Sequence, residues 1–271
     1  MEPKIITLVC NKGGVGRSTT AQSIGWRLAE LKYNVLIVDL DSQANTSITL
    51  AKDYGAQVVS AKKSITDMLK DESGYFSEYI VNSRHNNLDL LASSLELDFT
   101  EVLIRSEASA NTIMRDRLDR GCKEKYHFII YDTPPNKANK FIHNALITSS
   151  HYWYIIGSEN KWSLDGKVHM DKTIADVCNP LGKKIEPIPA LLTMYRRRNA
   201  LSALVMERCE KLFDYGIMKS TIRDTTEIRK ASAMTKVIYE TNRRCDVAKD
   251  YSSATDELIS MLKVNQQQLD L

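Results

Sequence analysis

Lys12-Gly13-Gly14-Val15-Gly16-Arg17-Ser18-Thr19-Thr20 follows, after Asn11, the apolar stretch Ile5-Ile6-Thr7-Leu8-Val9-Cys10. A chain that turns sharply out of a strand into a helix while wrapping phosphates needs residues without Cβ at the tightest points, and Gly13, Gly14 and Gly16 supply them. Their backbone N–H groups, with the positive end of a helix that begins near Arg17, are expected to form a nest for the oxygens of a nucleoside triphosphate. Ser18 then offers a hydroxyl to Mg²⁺ and Thr19 one to an inner phosphate. The helix follows from Ala21, Ile24, Leu28 and Leu31, whose near-helical spacing makes a face to pack on a sheet.

Arg17 departs from the usual loop, in which a lysine precedes the Ser/Thr and reaches the β- and γ-phosphates as a compact point charge. Arginine is bulkier, planar and forked, so the exchange is not conservative at a site this close-packed. Nucleotide binding is expected to survive at least in part and hydrolysis to be slow.

With 271 residues, 43% hydrophobic and 26% charged, the chain is sized and composed for one globular α/β domain spanning 1–271. It has no apolar run of eighteen residues or more, which excludes a membrane span by this measure. Met1-Glu2-Pro3-Lys4 leads straight into a strand without a basic n-region or cleavage site, so a cytoplasmic protein is expected. Cys10, Cys122, Cys178, Cys209 and Cys245 are odd in number and widely separated, which fits neither a disulfide framework nor a zinc site. The five histidines are scattered too, and no metal is expected beyond Mg²⁺ carried in with the nucleotide.

Short apolar runs bounded by turn signals predict strands at 5–10, 35–39, 88–91, 127–131, 152–157, 188–194 and 217–222. Helical patterns fall at 18–32, at 199–213 through Leu201, Leu204, Val205, Cys209 and Leu212, and near 247–263 through Tyr251, Leu258, Ile259 and Leu262. Alternation of the two predicts a P-loop-type α/β fold, a mostly parallel twisted sheet with helices on both faces. The stretch 50–85 reads as surface helices and loops.

Two acidic motifs end buried strands. In an open parallel sheet the carboxyl ends of the strands are where ligands bind, and Asp39-Leu40-Asp41 ends one of them. One of these acids can position a water for attack on the γ-phosphate while the other orders the segment Ser42-Gln43-Ala44-Asn45-Thr46. Asp132 ends another strand and is followed by Thr133-Pro134-Pro135, which forces the chain out of the sheet. Its placement suits an acid that holds Mg²⁺ through water.

Lys12 to Thr20, Val35-Leu-Ile-Val-Asp-Leu-Asp-Ser-Gln-Ala-Asn45 and Ile130-Tyr-Asp-Thr-Pro-Pro135 together resemble the ParA/MinD group of deviant Walker A ATPases, and within it the small ParA/Soj type. The likeness continues in Leu88-Asp-Leu-Leu-Ala-Ser-Ser-Leu-Glu-Leu97, Ser163-Leu-Asp-Gly166, Leu191-Leu-Thr-Met-Tyr195 and Thr221-Ile-Arg-Asp224, so it covers nearly the whole chain. The resemblance implies that Lys12 reaches across an ATP-sandwiched dimer to the partner's phosphates and that ATP drives dimerisation. It makes Asp41 the acid that positions the attacking water, Asp132 the Mg²⁺-linked acid and Ser18 the direct Mg²⁺ ligand. Arg223 and Asp224 fall where the family's Pro-Arg-Asn segment borders the adenine, with Ile222 in place of the proline and Asp224 in place of the asparagine. Ser42 stands where family members usually carry proline.

The formal charge is only +3, yet from Lys183 to Lys249 there are fifteen Lys and Arg against eight Asp and Glu. Arg196-Arg197-Arg198, Lys236, Lys249 and, first of all, Arg223, Arg229, Lys230, Arg243 and Arg244 are the candidates for a face, shared by two subunits, that binds DNA phosphates without sequence preference. No helix-turn-helix extension is expected before the first strand, hence no operator-specific repression. The ending Met261-Leu-Lys-Val-Asn-Gln-Gln-Gln-Leu-Asp-Leu271 is poor in basic residues, which disfavours a MinD-like membrane helix. Taken with the resemblance, these features imply a partition ATPase of plasmid or chromosomal DNA, using ATP and Mg²⁺, released from the nucleoid by a ParB-like activator. The alternatives are a switch whose hydrolysis Arg17 has impaired and a MinD-like positioning protein.

Overall fold

The computed structural model describes residues 2–10, 12–104, 110–135, 139–158 and 164–264. Its strands are β1 (Lys4–Val9), β2 (Val35–Asp39), β3 (Val81–Asn82), β4 (Leu88–Leu91), β5 (Phe128–Asp132), β6 (His151–Gly157), β7 (Glu186–Tyr195) and β8 (Ile217–Arg223). They form one sheet in the order β3-β4-β2-β5-β1-β6-β7-β8. Every pairing is parallel except β3 with β4, an antiparallel edge of two residues. The seven expected strands are all present, displaced by two residues at most, and β5 includes Asp132 as its last residue.

The central strands are apolar without alternation because both faces of the sheet are covered. On one face Ile6, Leu8, Val35 and Ile37 pack with Ala21, Ile24 and Leu28 of α1 (Arg17–Glu30) and with Tyr251, Ala254 and Leu258 of the helix Asp246–Leu262. On the other, Ile5, Leu36, Val38, Ile129 and Tyr131 pack with Phe141 and Ala145 of the helix Lys140–Thr148. A third cluster, including Tyr154, Ile156, Met170, Leu192, Cys209 and Phe213, closes the β6 and β7 end.

Two expectations need correction. The stretch 50–85 is no surface appendage, since it holds β3, a π-helical turn at Gly55–Ser60 and helices Ile65–Lys70 and Phe76–Tyr79, and it buries Val58, Ile65, Met68, Leu69 and Phe76. Its elements are too short for periodicity to build up a signal. The helix Ala200–Leu212 forms as expected and buries Val205 and Cys209, but Leu201 is 37% and Leu204 43% exposed. Spacing identified the helix but not how much of its apolar stripe the sheet covers. All five cysteines are free, four of them buried. Among the described residues no helix is long and apolar enough to cross a membrane.

Chain order places the carboxyl end of β1 at the middle of the sheet's ligand edge. From β1 the chain goes through α1 to β2, beyond β5, whereas β6 lies on the opposite side of β1. The connections therefore diverge at this point, which leaves a crevice above the strand ends. How closely α1 sits on the sheet is set by Gly25, where a Cβ would stand 2.5 Å from Ile37 Cδ1 and 3.6 Å from Leu88 Cδ1. Gly25→Leu is expected to lower unfolding stability by about 1–3 kcal/mol through overpacking, a loss to be read from the urea midpoint at unchanged m-value.

Candidate functional site

The loop that leaves β1 enters α1 through two left-handed residues, Gly14 (φ 76°) and Gly16 (φ 81°), and Gly16 is the N-cap of α1. Both positions favour glycine because a Cβ strains the backbone in that region. Gly13 does not take a left-handed φ, and a Cβ there would meet Pro135 Cβ only at 4.0 Å, so its expected role at a tight point is not needed for this conformation. No side chain caps α1, so its first N–H groups face the loop without a side-chain acceptor. The loop is held from below. Buried Thr193 of β7 donates its hydroxyl to the Val15 carbonyl at 2.6 Å, and Val15 is itself buried in the core.

Ser18 and Thr19 are half-buried at the start of α1. Beside them opens a cleft of about 270 Å³, walled by Asn45 and Thr49 on one side and Ser232 and Lys236 on the other. Lys12 is exposed.

The three acids separate clearly. Asp39 and Asp132 end neighbouring strands in register and are fully buried. Asp39 accepts from the backbone N–H of Ser47 at 2.8 Å, the Ser47 hydroxyl at 2.7 Å and the backbone N–H of Asp41 at 3.2 Å. It therefore orders the segment after β2. That segment is a loop only as far as Ala44, because α2 (Asn45–Leu50) begins at the next residue, and Ala44 enters it at φ 51°. A left-handed conformation at a residue with a Cβ stores local strain. Burial, followed by the nearby Asp132 charge, pushes the Asp39 carboxyl up out of the ordinary carboxylate range against its hydrogen bonds. Asp41 is partly exposed beyond the strand end and accepts from the backbone N–H of Gln43 at 3.0 Å. Its pKa is raised by burial and by Asp132, and lowered by the Gln43 bond and by Arg17.

Arg17 turns toward the acids. It is 6% exposed, with Nε 3.2 Å from Asp132 Oδ1, Nη2 3.8 Å from Asp41 Oδ2 and Nη1 2.6 Å from Cys10 Sγ. Burial works against its charge, but Cys10, Asp132 and Asp41 outweigh that and raise its pKa further. The second oxygen of Asp132 accepts from Thr46 Oγ1 at 2.7 Å, and Thr46 Oγ1 in turn accepts from Gln22 Nε2 at 3.1 Å. Glycine turns, an uncapped helix start, a serine hydroxyl and acids at adjoining strand ends fit phosphates accompanied by a divalent cation. Arg17 is the departure, since it engages the acid that would serve the metal.

Sequence reading missed Thr46, Thr193 and Cys10 as parts of this site. Thr193 carried a usable signal, a lone hydroxyl inside the apolar run Leu191-Leu192-Thr193, because a buried hydroxyl must find a partner. Thr46 and Cys10 join the site only through contacts with residues distant in sequence or across the loop.

Most of the basic candidates carry acidic partners. Arg223 pairs with Asp246 at 2.9 Å and Asp250 at 2.7 Å, Arg229 with Asp224 at 3.2 Å, Lys230 with Glu227 at 3.1 Å, and Arg243 with Glu30. Asp224 also holds Arg196 at 2.6 Å, so Arg223 and Asp224, the expected adenine neighbours, are both engaged by ion pairs. Arg244, Arg197 and Arg198 are exposed and form no ion pair with a described residue.

The family model AAA_31, an AAA domain, matches residues 3–187. The chromosome partitioning protein ParA of Caulobacter vibrioides is 26% identical over 258 residues, covering 95% of this chain and 94% of that protein. The sporulation initiation inhibitor protein Soj of Bacillus subtilis is 27% identical over 257 residues, covering 92% and 98%. In fold, the chain is similar to cobyrinic acid a,c-diamide synthase of Mycobacterium smegmatis with a bound ATP analogue and magnesium, at TM-score 0.80, 22% identity and 96% coverage of each chain. The phosphate loop at the switch point, the acids on the neighbouring strands and the family match over more than half of the chain agree, and the chain belongs to the AAA_31 family, in the ParA/MinD group of P-loop ATPases.

Proposed function

We propose that this chain is a Mg²⁺-dependent ATPase that dimerises on ATP, binds DNA without sequence preference and leaves it when a ParB-like partner stimulates hydrolysis, thereby partitioning or positioning a cargo. The observation that carries the reading is the uncapped start of α1 behind Gly14 and Gly16, with Asp41 and Asp132 at the ends of the strands beside it. The likeness to ParA and Soj over more than nine-tenths of the chain supports the same reading.

In this reading the backbone N–H groups of the loop and the first turn of α1 bind the phosphates, and Thr193 keeps the loop in place under that load. Ser18 and, through water, Asp132 hold the magnesium ion, which supplies charge neutralisation at the β- and γ-oxygens. Asp41, outside the buried pair, orients the attacking water from a position that solvent reaches. Lys12 is exposed, as a residue acting on a second copy must be. One domain spanning 1–271 carries the activity, in the cytoplasm on nucleoid DNA.

For DNA, the exposed and unpaired cations weigh more than the paired ones, since a guanidinium already bound to a carboxylate adds little net field. Arg197, Arg198 and Arg244 are thus the first contributors, and Arg223, Arg229, Lys230 and Arg243 contribute after exchanging partners. A second reading, a nucleotide switch with little turnover, is favoured by one specific observation, the engagement of Asp132 and Asp41 by Arg17.

Asp41→Ala is expected to lower phosphate release by at least about a hundredfold while light scattering still detects the ATP-dependent dimer; normal turnover in that variant would remove Asp41 from the role. Arg244→Ala should weaken binding to random duplexes of any sequence alike and reduce the salt slope by about one. If wild-type chain with ATP binds no duplex at low salt, the DNA part of the proposal falls.

A further inference from the structure

Asp39, Asp41 and Asp132 converge at the ends of β2 and β5. Among the described residues Arg17 is the basic side chain that pairs with two of them, Asp132 at 3.2 Å and Asp41 at 3.8 Å. Both Asp132 oxygens face donors, Arg17 Nε on one and the Thr46 hydroxyl on the other. Each donor takes one of the lone pairs on its oxygen, which leaves fewer for a hydrated cation. A lysine in the same place carries its three N–H donors on one nitrogen and lacks the spread of the guanidinium fork, whose Nε, Nη1 and Nη2 face Asp132, Cys10 and Asp41. The side chain is also 93% buried, so water screens its charge poorly.

We propose that Arg17 is a built-in counter-ion that competes with magnesium for Asp132 and Asp41, so that this site binds a nucleoside triphosphate with little dependence on the metal. With Arg17 already neutralising Asp132 and Asp41, these acids repel an incoming triphosphate less when the metal is absent. Magnesium must displace or share Asp132 with a charge that is held in place by three contacts. The inference rests on the nucleotide-binding reading above and goes beyond it by assigning the metal dependence to one residue.

The test is equilibrium binding of a fluorescent ATP analogue, with excess Mg²⁺ and with EDTA, to the wild-type chain, Arg17→Lys and Arg17→Gln, each first checked for native circular dichroism. Arg17→Lys keeps a charge without the fork, and Arg17→Gln keeps a donor at the Nε position without the charge, which provides a second variant should one fail to fold. Removing magnesium is expected to weaken binding less than about threefold in the wild type and more than about tenfold in both variants. Equal magnesium dependence in all three chains would overturn the proposal and leave nucleotide binding intact. Failure of the wild-type chain to bind the analogue under either condition would overturn the nucleotide reading, and this inference with it.

Discussion

Two carboxylates lie side by side with no exposure to water, Asp39 at the end of β2 and Asp132 at the end of β5. Like charges in a poorly solvated place repel strongly, and each must be neutralised, protonated or hydrogen-bonded. The surroundings solve this differently for the two. Asp39 is surrounded by hydrogen-bond donors from Ser47 and Asp41 and is pushed toward its protonated form, whereas Asp132 receives a full positive charge from Arg17 and a hydroxyl from Thr46.

The consequence is a mechanical link across the site. Arg17 is the first residue of α1 and Thr46 belongs to the first turn of α2, so the two helix starts meet on one carboxylate. Gln22, a turn and a half into α1, reaches the same hydroxyl of Thr46. On the other side, Thr193 of β7 fixes the carbonyl of Val15, and the glycine-rich loop is therefore held by a strand two positions away in the sheet. The left-handed Ala44 gives the joint between β2 and α2 its sharp turn, at a strain the buried bonds to Asp39 offset.

The surface obeys a similar logic of partners. Counting residues shows a basic C-terminal third, but a carboxylate sits within ion-pair distance of Arg223, Arg229, Lys230 and Arg243. Exposed pairs of this type add little stability, yet they cancel much of the field that a count of charges implies. Net field at that face comes from the cations left over, Arg197, Arg198 and Arg244 among them.

The sequence by itself determined seven of the strands, α1 and the phosphate loop, because a strand buried on both faces, a helix with one apolar face and a glycine at a left-handed turn each leave a local mark in the order of residues. Asp39-Leu40-Asp41 was legible as a pair of acids with two different tasks for the same reason, since both lie at one strand end. Which of them is buried was decided only by the fold, through Ser47 and the start of α2. The short elements of 50–85 and the half-covered helix Ala200–Leu212 were also set by packing, as burial depends on what the sheet and its neighbours place against a segment. Arg17 shows the division most plainly. Its identity announced an altered loop, but its side chain pairs with acids 24 and 115 positions along the chain, a juxtaposition that exists only once β1, β2 and β5 lie side by side.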